Sequence, residues 1–303
     1  MRLGVLDVGS NTVHLQVMDA HHGSAPLAQS SFKVELRLTE YLDVSGAISA
    51  EGINKLVSAI NDVYKQASVY QLDETLAFAT SAIREATNSD EVLNQVYSST
   101  NVELQVLSGA DEARFTFLAV RRWLGWSAGD ILMLDIGGGS LEIAHGEQEN
   151  PSSAFSVQLG GGRLTRNFLS GDPFTDKSLE KLRLHIKETL EPIGLELGEI
   201  SKNYAIGTSK TFRSLRRLQM HYLPNYGENL TLNGLNIMVP KLQKMDLKAR
   251  MDLPGLSPGR AKQIVAGAMV AQGAMKKLNL DYIMQCPWAL REGIVLQRLD
   301  WLK

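Results

Sequence analysis

The chain holds a single cysteine, Cys286, among its 303 residues. No internal disulfide is possible, and a reducing, cytoplasmic setting is the expectation. The histidines are scattered, with His21-His22 in a turn, and neither a zinc-ligand spacing nor a Ser-His-Asp pattern is present. No apolar run approaches the roughly 20 residues of a membrane span. The opening Met1-Arg2-Leu3-Gly4-Val5-Leu6-Asp7 reads as a core strand and lacks the longer apolar stretch and cleavage site of a secretory leader. Charge of one sign is also missing. Lys and Arg number 31 against 33 Asp and Glu, a net charge of −2, which gives no bulk attraction to nucleic acid or to an anionic membrane. A polyanionic ligand would have to be gripped by local cationic clusters.

What is present is an ordinary globular composition, 44% hydrophobic and 21% charged, in a chain long enough for two domains at roughly 100–200 residues each. An internal repeat organises it. Leu3 to Leu6 leads into Asp7-Val8-Gly9-Ser10-Asn11-Thr12 and then Val13 to Met18, while Ile131 to Leu134 leads into Asp135-Ile136-Gly137-Gly138-Gly139-Ser140 and then Leu141 to His145. Each segment is an apolar strand, an Asp-aliphatic-Gly step, a small polar turn and a second strand. Glycines let backbone N–H groups converge on an anion, and Ser10, Asn11, Thr12 and Ser140 add side-chain donors. Asp7 or Asp135, ending a first strand, suits a hydrated Mg²⁺ beside a phosphate, because hard cations take carboxylate and water oxygen. Either turn alone is also an ordinary β-turn; the pair in corresponding halves points to phosphate.

Between and after the hairpins, helical and strand patterns alternate. Helices are predicted over residues 50–68, 89–97, 111–124, 176–191 (stopped by Pro192), from Gly207-Thr208-Ser209 onward, and over 257–278 and 288–299. Strands are predicted at 76–82, 102–107, 204–206 and 282–285. Gly125 to Gly129 reads as a hinge, and 224–234 as an irregular, mobile loop. Hairpins plus βα units predict an α/β fold in two lobes with a cleft between them.

The motifs taken in order resemble the exopolyphosphatase and guanosine pentaphosphate phosphatase family over essentially the whole chain. Asp7 to Thr12 is similar to its first phosphate loop, and Asp135 to Ser140 with Glu142 to its second. Thr80-Ser81-Ala82-Ile83-Arg84-Glu85-Ala86, Ser108-Gly109-Ala110-Asp111-Glu112-Ala113-Arg114, Leu253-Pro254-Gly255-Leu256 with Arg260, and Ala289-Leu290-Arg291-Glu292-Gly293 follow its later motifs. The late turn departs from the family's usual pattern: Ile206-Gly207-Thr208-Ser209-Lys210 puts Lys210 close to a bound phosphate and resembles short actinobacterial-type sequences. The resemblance implies two actin-like (ribonuclease H-like, ASKHA) domains, at 1–126 and 127–303, with a phosphate-binding cleft between them. It implies the short two-domain form, and with it better handling of short chains. It further implies a homodimer that uses Mg²⁺ to release terminal orthophosphate from inorganic polyphosphate, or the 5′-phosphate of guanosine pentaphosphate. A sugar or acetate kinase of the same fold, and a non-catalytic alarmone or polyphosphate sensor, are the competing readings.

Hydrolysis of a phosphoanhydride needs an in-line water, a group to activate it and cations for the spreading charge. Ser108 reads as a helix cap, with Asp111 completing a capping-box-like start and Glu112 in the first turn, where the helix dipole favours an ionised carboxylate. By spacing alone an acid there is more readily a helix stabiliser than a catalyst; the resemblance places the base on Glu112 rather than Asp111. Arg84, after a strand, is a phosphate clamp or a surface arginine. Asp7, Asp135 and Glu142 are the candidates for Mg²⁺, although alternation leaves Glu142 equally able to face solvent. Ser10, Asn11, Thr12, Gly137, Gly138, Gly139, Ser140, Gly207, Thr208, Lys210 and Arg260 are the expected phosphate contacts. Lys210, Arg213, Arg216 and Arg217 form either a polyanion track or a solvated helix face, and Arg121 and Arg122 are assigned to the surface.

Overall fold

A computed structural model describes residues 1–198 and 203–301. Residues 199–202 and 302–303, which fall in the expected second domain, lie outside the described residues. The chain forms two compact units, Met1–Phe115 together with Leu290–Lys303, and Thr116–Ala289. The expected division at residue 126 follows chain order. These units do not, because the last helix returns to the first sheet.

In the first unit, β1 (Arg2–Val8), β2 (Thr12–Asp19), β3 (Leu27–Glu35), β4 (Glu74–Ala79) and β5 (Gln105–Val106) form one sheet in the order β3-β2-β1-β4-β5. β1–β2 and β2–β3 are antiparallel, and β1–β4 and β4–β5 are parallel. The helices are α1 (Ala50–Ala67), α2 (Ser81–Arg84), α3 (Ser89–Thr100) and the start of α4 (Gly109–Leu124), whose residues from Thr116 onward belong to the second unit. α1 starts where Ser49 accepts from the Gly52 N–H, and it lays Ile53, Leu56, Ile60 and Val63 onto Leu6, Val8, Val13 and Leu15 of the β1–β2 hairpin. The period of two along a strand sends Leu3, Val5 and Met18 to the opposite face.

In the second unit, β6 (Ile131–Ile136), β7 (Leu141–Gly146), β8 (Ser153–Val157), β9 (Tyr204–Gly207), β10 (Leu230–Thr231) and β11 (Tyr282–Gln285) lie in the order β10-β11-β9-β6-β7-β8. From the β8 end this repeats the order and strand directions of the first sheet, with β10 added at the edge. The helices are α5 (Gly161–Phe168), α6 (Asp176–Leu197), α7 (Lys210–Tyr222), α8 (Leu232–Gln243), α9 (Leu247–Met251) and α10 (Pro258–Lys277). α10 buries Ile264, Val265, Ala268, Ala271 and Met275 in the unit's core. This is an α/β fold of two mixed sheets flanked by helices.

Three local expectations are corrected. α6 runs through Pro192 to Leu197, because the buried stripe Leu190, Ile193 and Leu197 continues past the proline and offsets the lost hydrogen bond. Residues 224–234 are not an irregular loop throughout: Thr231 caps α8 by accepting from the Gly234 N–H. Arg121 is not on the surface. It is 3% exposed and donates to the carbonyls of Gly129 and Trp126, while Arg122 pairs with Glu149.

The last helix, α11 (Leu290–Asp300), closes the second face of the first sheet with Val295 and Leu299. Its approach to α4 is close enough to demand glycine, since a Cβ on Gly293 would stand 1.8 Å from the Phe115 carbonyl oxygen. Gly293→Ala is therefore expected to destabilise the first unit by about 1–3 kcal/mol, read as a lower urea midpoint with unchanged slope. A wild-type midpoint would mean that α11 moves aside without cost.

Candidate active site

The repeated turns are built alike. Gly9 donates its N–H to the Thr12 carbonyl at 3.0 Å, and Gly137 donates to the Ser140 carbonyl at 2.9 Å. In the second turn the carbonyls are claimed from one side. Gly161 N–H donates to Gly137 O, Gly162 and Arg163 N–H to Gly138 O, and Gly160 N–H to Gly139 O; the Arg163 guanidinium also donates to Gly139 O. Because C=O and N–H of one planar peptide point in opposite directions, carbonyls turned toward α5 leave the N–H groups of residues 138–140 turned away from it. That is the geometry of an anion nest. The approach is tight enough that a Cβ on Gly160 would lie 2.2 Å from the Gly139 carbonyl carbon. The Gly160-Gly161-Gly162 run was the sequence signal for this contact, and the motif reading did not use it.

Around the second turn, Asp135 Oδ2 accepts from Thr208 Oγ1 at 2.6 Å. Glu142 stands opposite Asp135 in the β6–β7 ladder, is 5% exposed and accepts from Ser156 Oγ at 2.8 Å. It therefore does not face solvent. Ser209, which caps α7, also accepts from the Ile136 N–H. Thr211 donates to Ile136 O and accepts from Arg260 Nη1 at 3.1 Å. Burial pushes the Arg260 guanidinium below its ordinary pKa and the nearby Asp135 opposes that shift. Gly207 ends β9 and Thr208 follows it beside this cluster, with Thr208 N–H bonded to Leu134 O, and Lys210 opens α7 with an exposed side chain.

The first unit gathers a different set. Ser10 Oγ lies 3.0 Å from Ser81 Oγ, and Thr80 N–H donates to Val8 O, which brings the segment holding Arg84 to the first turn. Arg84 donates to Leu107 O at 2.8 Å and is bonded to Glu112, a carboxylate that is 7% exposed as a residue. Ser108 accepts from the Asp111 N–H and donates to the Asp111 carboxylate, so the expected cap is present with its own hydroxyl satisfied. Thr12 is the turn acceptor already described, and Asn11 O accepts from the N–H groups of Leu36 and Arg37.

Two residues enter that the sequence reading gave no role. His14 stands opposite Asp7 in the β1–β2 ladder, and Arg291 of α11 reaches both Asp7 and His14. The pairing of Asp7 with His14 was legible from the hairpin register; the arrival of Arg291 from the far end of the chain was not. The basic face of α7 divides. Arg216 and Arg217 donate to the carbonyls of Glu228 and Gly255, which gives them a part in the fold, whereas Arg213 is exposed. Among the described residues no group of three or more His, Cys, Asp or Glu is placed to hold a metal. The facing Asp135 and Glu142 carboxylates nevertheless suit a hard cation that completes its shell with phosphate and water oxygen. Also among the described residues, no helix is long and apolar enough to cross a membrane.

Residues 17–301 match the model of the Ppx/GppA phosphatase family. The chain is 50% identical over 305 residues to exopolyphosphatase 1 of Mycobacterium tuberculosis, with 99% of this chain and 89% of that protein covered. The crystal structure of an exopolyphosphatase from Cytophaga hutchinsonii matches with a TM-score of 0.89 at 24% identity, covering 100% of this chain and 99% of that one. The Aquifex aeolicus member of the Ppx/GppA family matches with a TM-score of 0.82 at 22% identity, over 100% and 99% of the two chains. The chain belongs to the Ppx/GppA phosphatase family.

Proposed function

We propose that this chain is an exopolyphosphatase that hydrolyses the terminal phosphoanhydride of inorganic polyphosphate and releases orthophosphate. The observation that carries the reading is Glu112, a nearly buried carboxylate in the first turn of a helix, bonded to Arg84 beside the first phosphate turn. In the proposed reaction Glu112 takes a proton from the attacking water as the new O–P bond forms in line with the breaking one. The bridging oxygen keeps the electron pair and leaves on the shortened chain. Arg84 transfers from Glu112 to the phosphate oxygens, which frees the carboxylate to act as base at the moment substrate arrives. Ser10, Asn11 and Thr12 supply donors at one turn, and Gly137 to Ser140 supply the backbone nest at the other, with Thr208, Lys210 and Arg260 adding donors and charge.

Asp135 and Glu142 would hold Mg²⁺, which when bound neutralises charge on the phosphate oxygens. Asp7, the other carboxylate expected to bind Mg²⁺, faces His14 and pairs with Arg291 in its own unit, so it is left out of this proposed set. The repeated strand order with matching turns supports the actin-like reading of both units. Assembly as a homodimer belongs to the same reading, and light scattering in solution tests it.

Phosphate release in Mg²⁺ from short polyphosphate, long polyphosphate, guanosine pentaphosphate and ATP tests the reading directly. Polyphosphate is the expected substrate, and Glu112→Gln is expected to lower kcat by about 100-fold or more with polyphosphate binding retained. Release from guanosine pentaphosphate alone moves the activity to the alarmone; tight binding with no release from any of the four makes the protein a sensor. Arg213→Glu probes the polyanion track. It is expected to raise KM for long chains more than for short ones, and an equal effect on both lengths would remove α7 from the substrate path.

A further inference from the structure

Asp7 and Asp135 occupy the same place in the repeated hairpins, yet their cross-strand partners differ. Glu142 faces Asp135, whereas His14 faces Asp7. His14 is 7% exposed, and its ring is held at both nitrogens. Nε2 lies 2.6 Å from Ser31 Oγ, and Nδ1 is bonded to the Arg291 guanidinium. A guanidinium offers only N–H donors, so Nδ1 must be the acceptor; the proton then sits on Nε2 and is donated to Ser31. In this arrangement the imidazole is neutral.

Arg291 reaches Asp7 as well, with Nη1 3.5 Å from Oδ2 and side chains 20% and 24% exposed. A half-open ion pair at that distance is too weak to offset the rotamer entropy of an arginine. The bond to His14 supplies the second anchor. The stem is set by packing: Arg291, Val295 and Leu299 recur every four residues along α11, and the latter two bury against Leu3, Val5 and Met18 on the same sheet face as Asp7 and His14. The Arg291 Nε is buried with no hydrogen-bond partner, so this guanidinium has donor capacity beyond its two contacts.

We propose that His14 is a positioning residue for the reaction. As a neutral Nε2–H imidazole fixed by Ser31, it aims Arg291 at Asp7 beside the first phosphate turn. The first turn thus carries a balanced carboxylate–guanidinium pair where the second carries two carboxylates. The inference rests on the reading of the chain as a polyphosphate hydrolase.

Two measurements on the full chain test it. In ¹⁵N-histidine-labelled protein, one imidazole is expected in the Nε2–H tautomer, with shifts that move in Arg291→Met. In phosphate release from polyphosphate, His14→Leu is expected to lower kcat about tenfold with KM nearly unchanged. His14→Asn, whose amide oxygen stands near the position of Nδ1, is expected to recover most of that loss. Arg291→Met is expected to lose at least as much as His14→Leu, and the double variant no more than Arg291→Met, because both substitutions remove one contact. Multiplying losses in the double variant, an Nδ1–H tautomer, or shifts indifferent to Arg291→Met would each overturn the proposal. If His14→Leu does not fold, Arg291→Met and His14→Asn carry the comparison. A wild-type protein inactive on polyphosphate overturns the functional reading instead, while the tautomer still decides whether the contact exists.

Discussion

Parallel pairing between the first strand of each unit and the strand that follows a crossover is the constraint on which the residue cluster of each unit rests. Two parallel strands end at the same edge of their sheet. β1 beside β4 therefore delivers Asp7 and Thr80 to one edge, and β6 beside β9 delivers Asp135 and Thr208 to the corresponding edge. The hydrogen bonds from Thr80 to Val8 and from Thr208 to Leu134 extend each ladder one step past its last paired residues. Turns, helix starts and charged groups then collect where the ladders stop, as is usual for sheets of this type.

On this repeated backbone the two units carry different chemistry. The first places a nearly buried carboxylate, Glu112, against an arginine and balances Asp7 with another. The second places Asp135 opposite Glu142, with the hydroxyl of Thr208 on Asp135 and that of Ser156 on Glu142. Like charges facing each other across a ladder are unfavourable, which is why the proposed Mg²⁺ is assigned to the second arrangement, beside Arg260, and not to the first. Divergence lies in the side chains that the strands present, while the turns keep the same closing hydrogen bond.

Much of this was legible in the sequence because it is local. The Asp-aliphatic-Gly turns, the Ser108 cap that places Glu112 in a first turn, and the amphipathic pattern of α1 are each written within a few residues. What was not legible depends on sequence-distant packing. Pro192 marks the end of a helix by local rules, yet the stripe it interrupts is buried on both sides of it. Alternation alone cannot say which face of β7 is covered, so the burial of Glu142 appears only when β8 supplies Ser156. Gly160 looks like one glycine among three until Gly139 is seen against it, and nothing near Asp7 in the chain announces Arg291.

The return of α11 has a bearing on how the protein is made. Thr116–Ala289 is one unbroken stretch, and its sheet and helices are complete once that stretch has left the ribosome. The first unit is translated earlier yet waits, with Leu3, Val5, Met18 and Phe78 uncovered, until Val295 and Leu299 emerge. The part of the chain synthesised first is thus the part finished last, an inversion of the usual N-terminal-first order. During that interval the uncovered sheet face is the surface most open to mispairing and to chaperones.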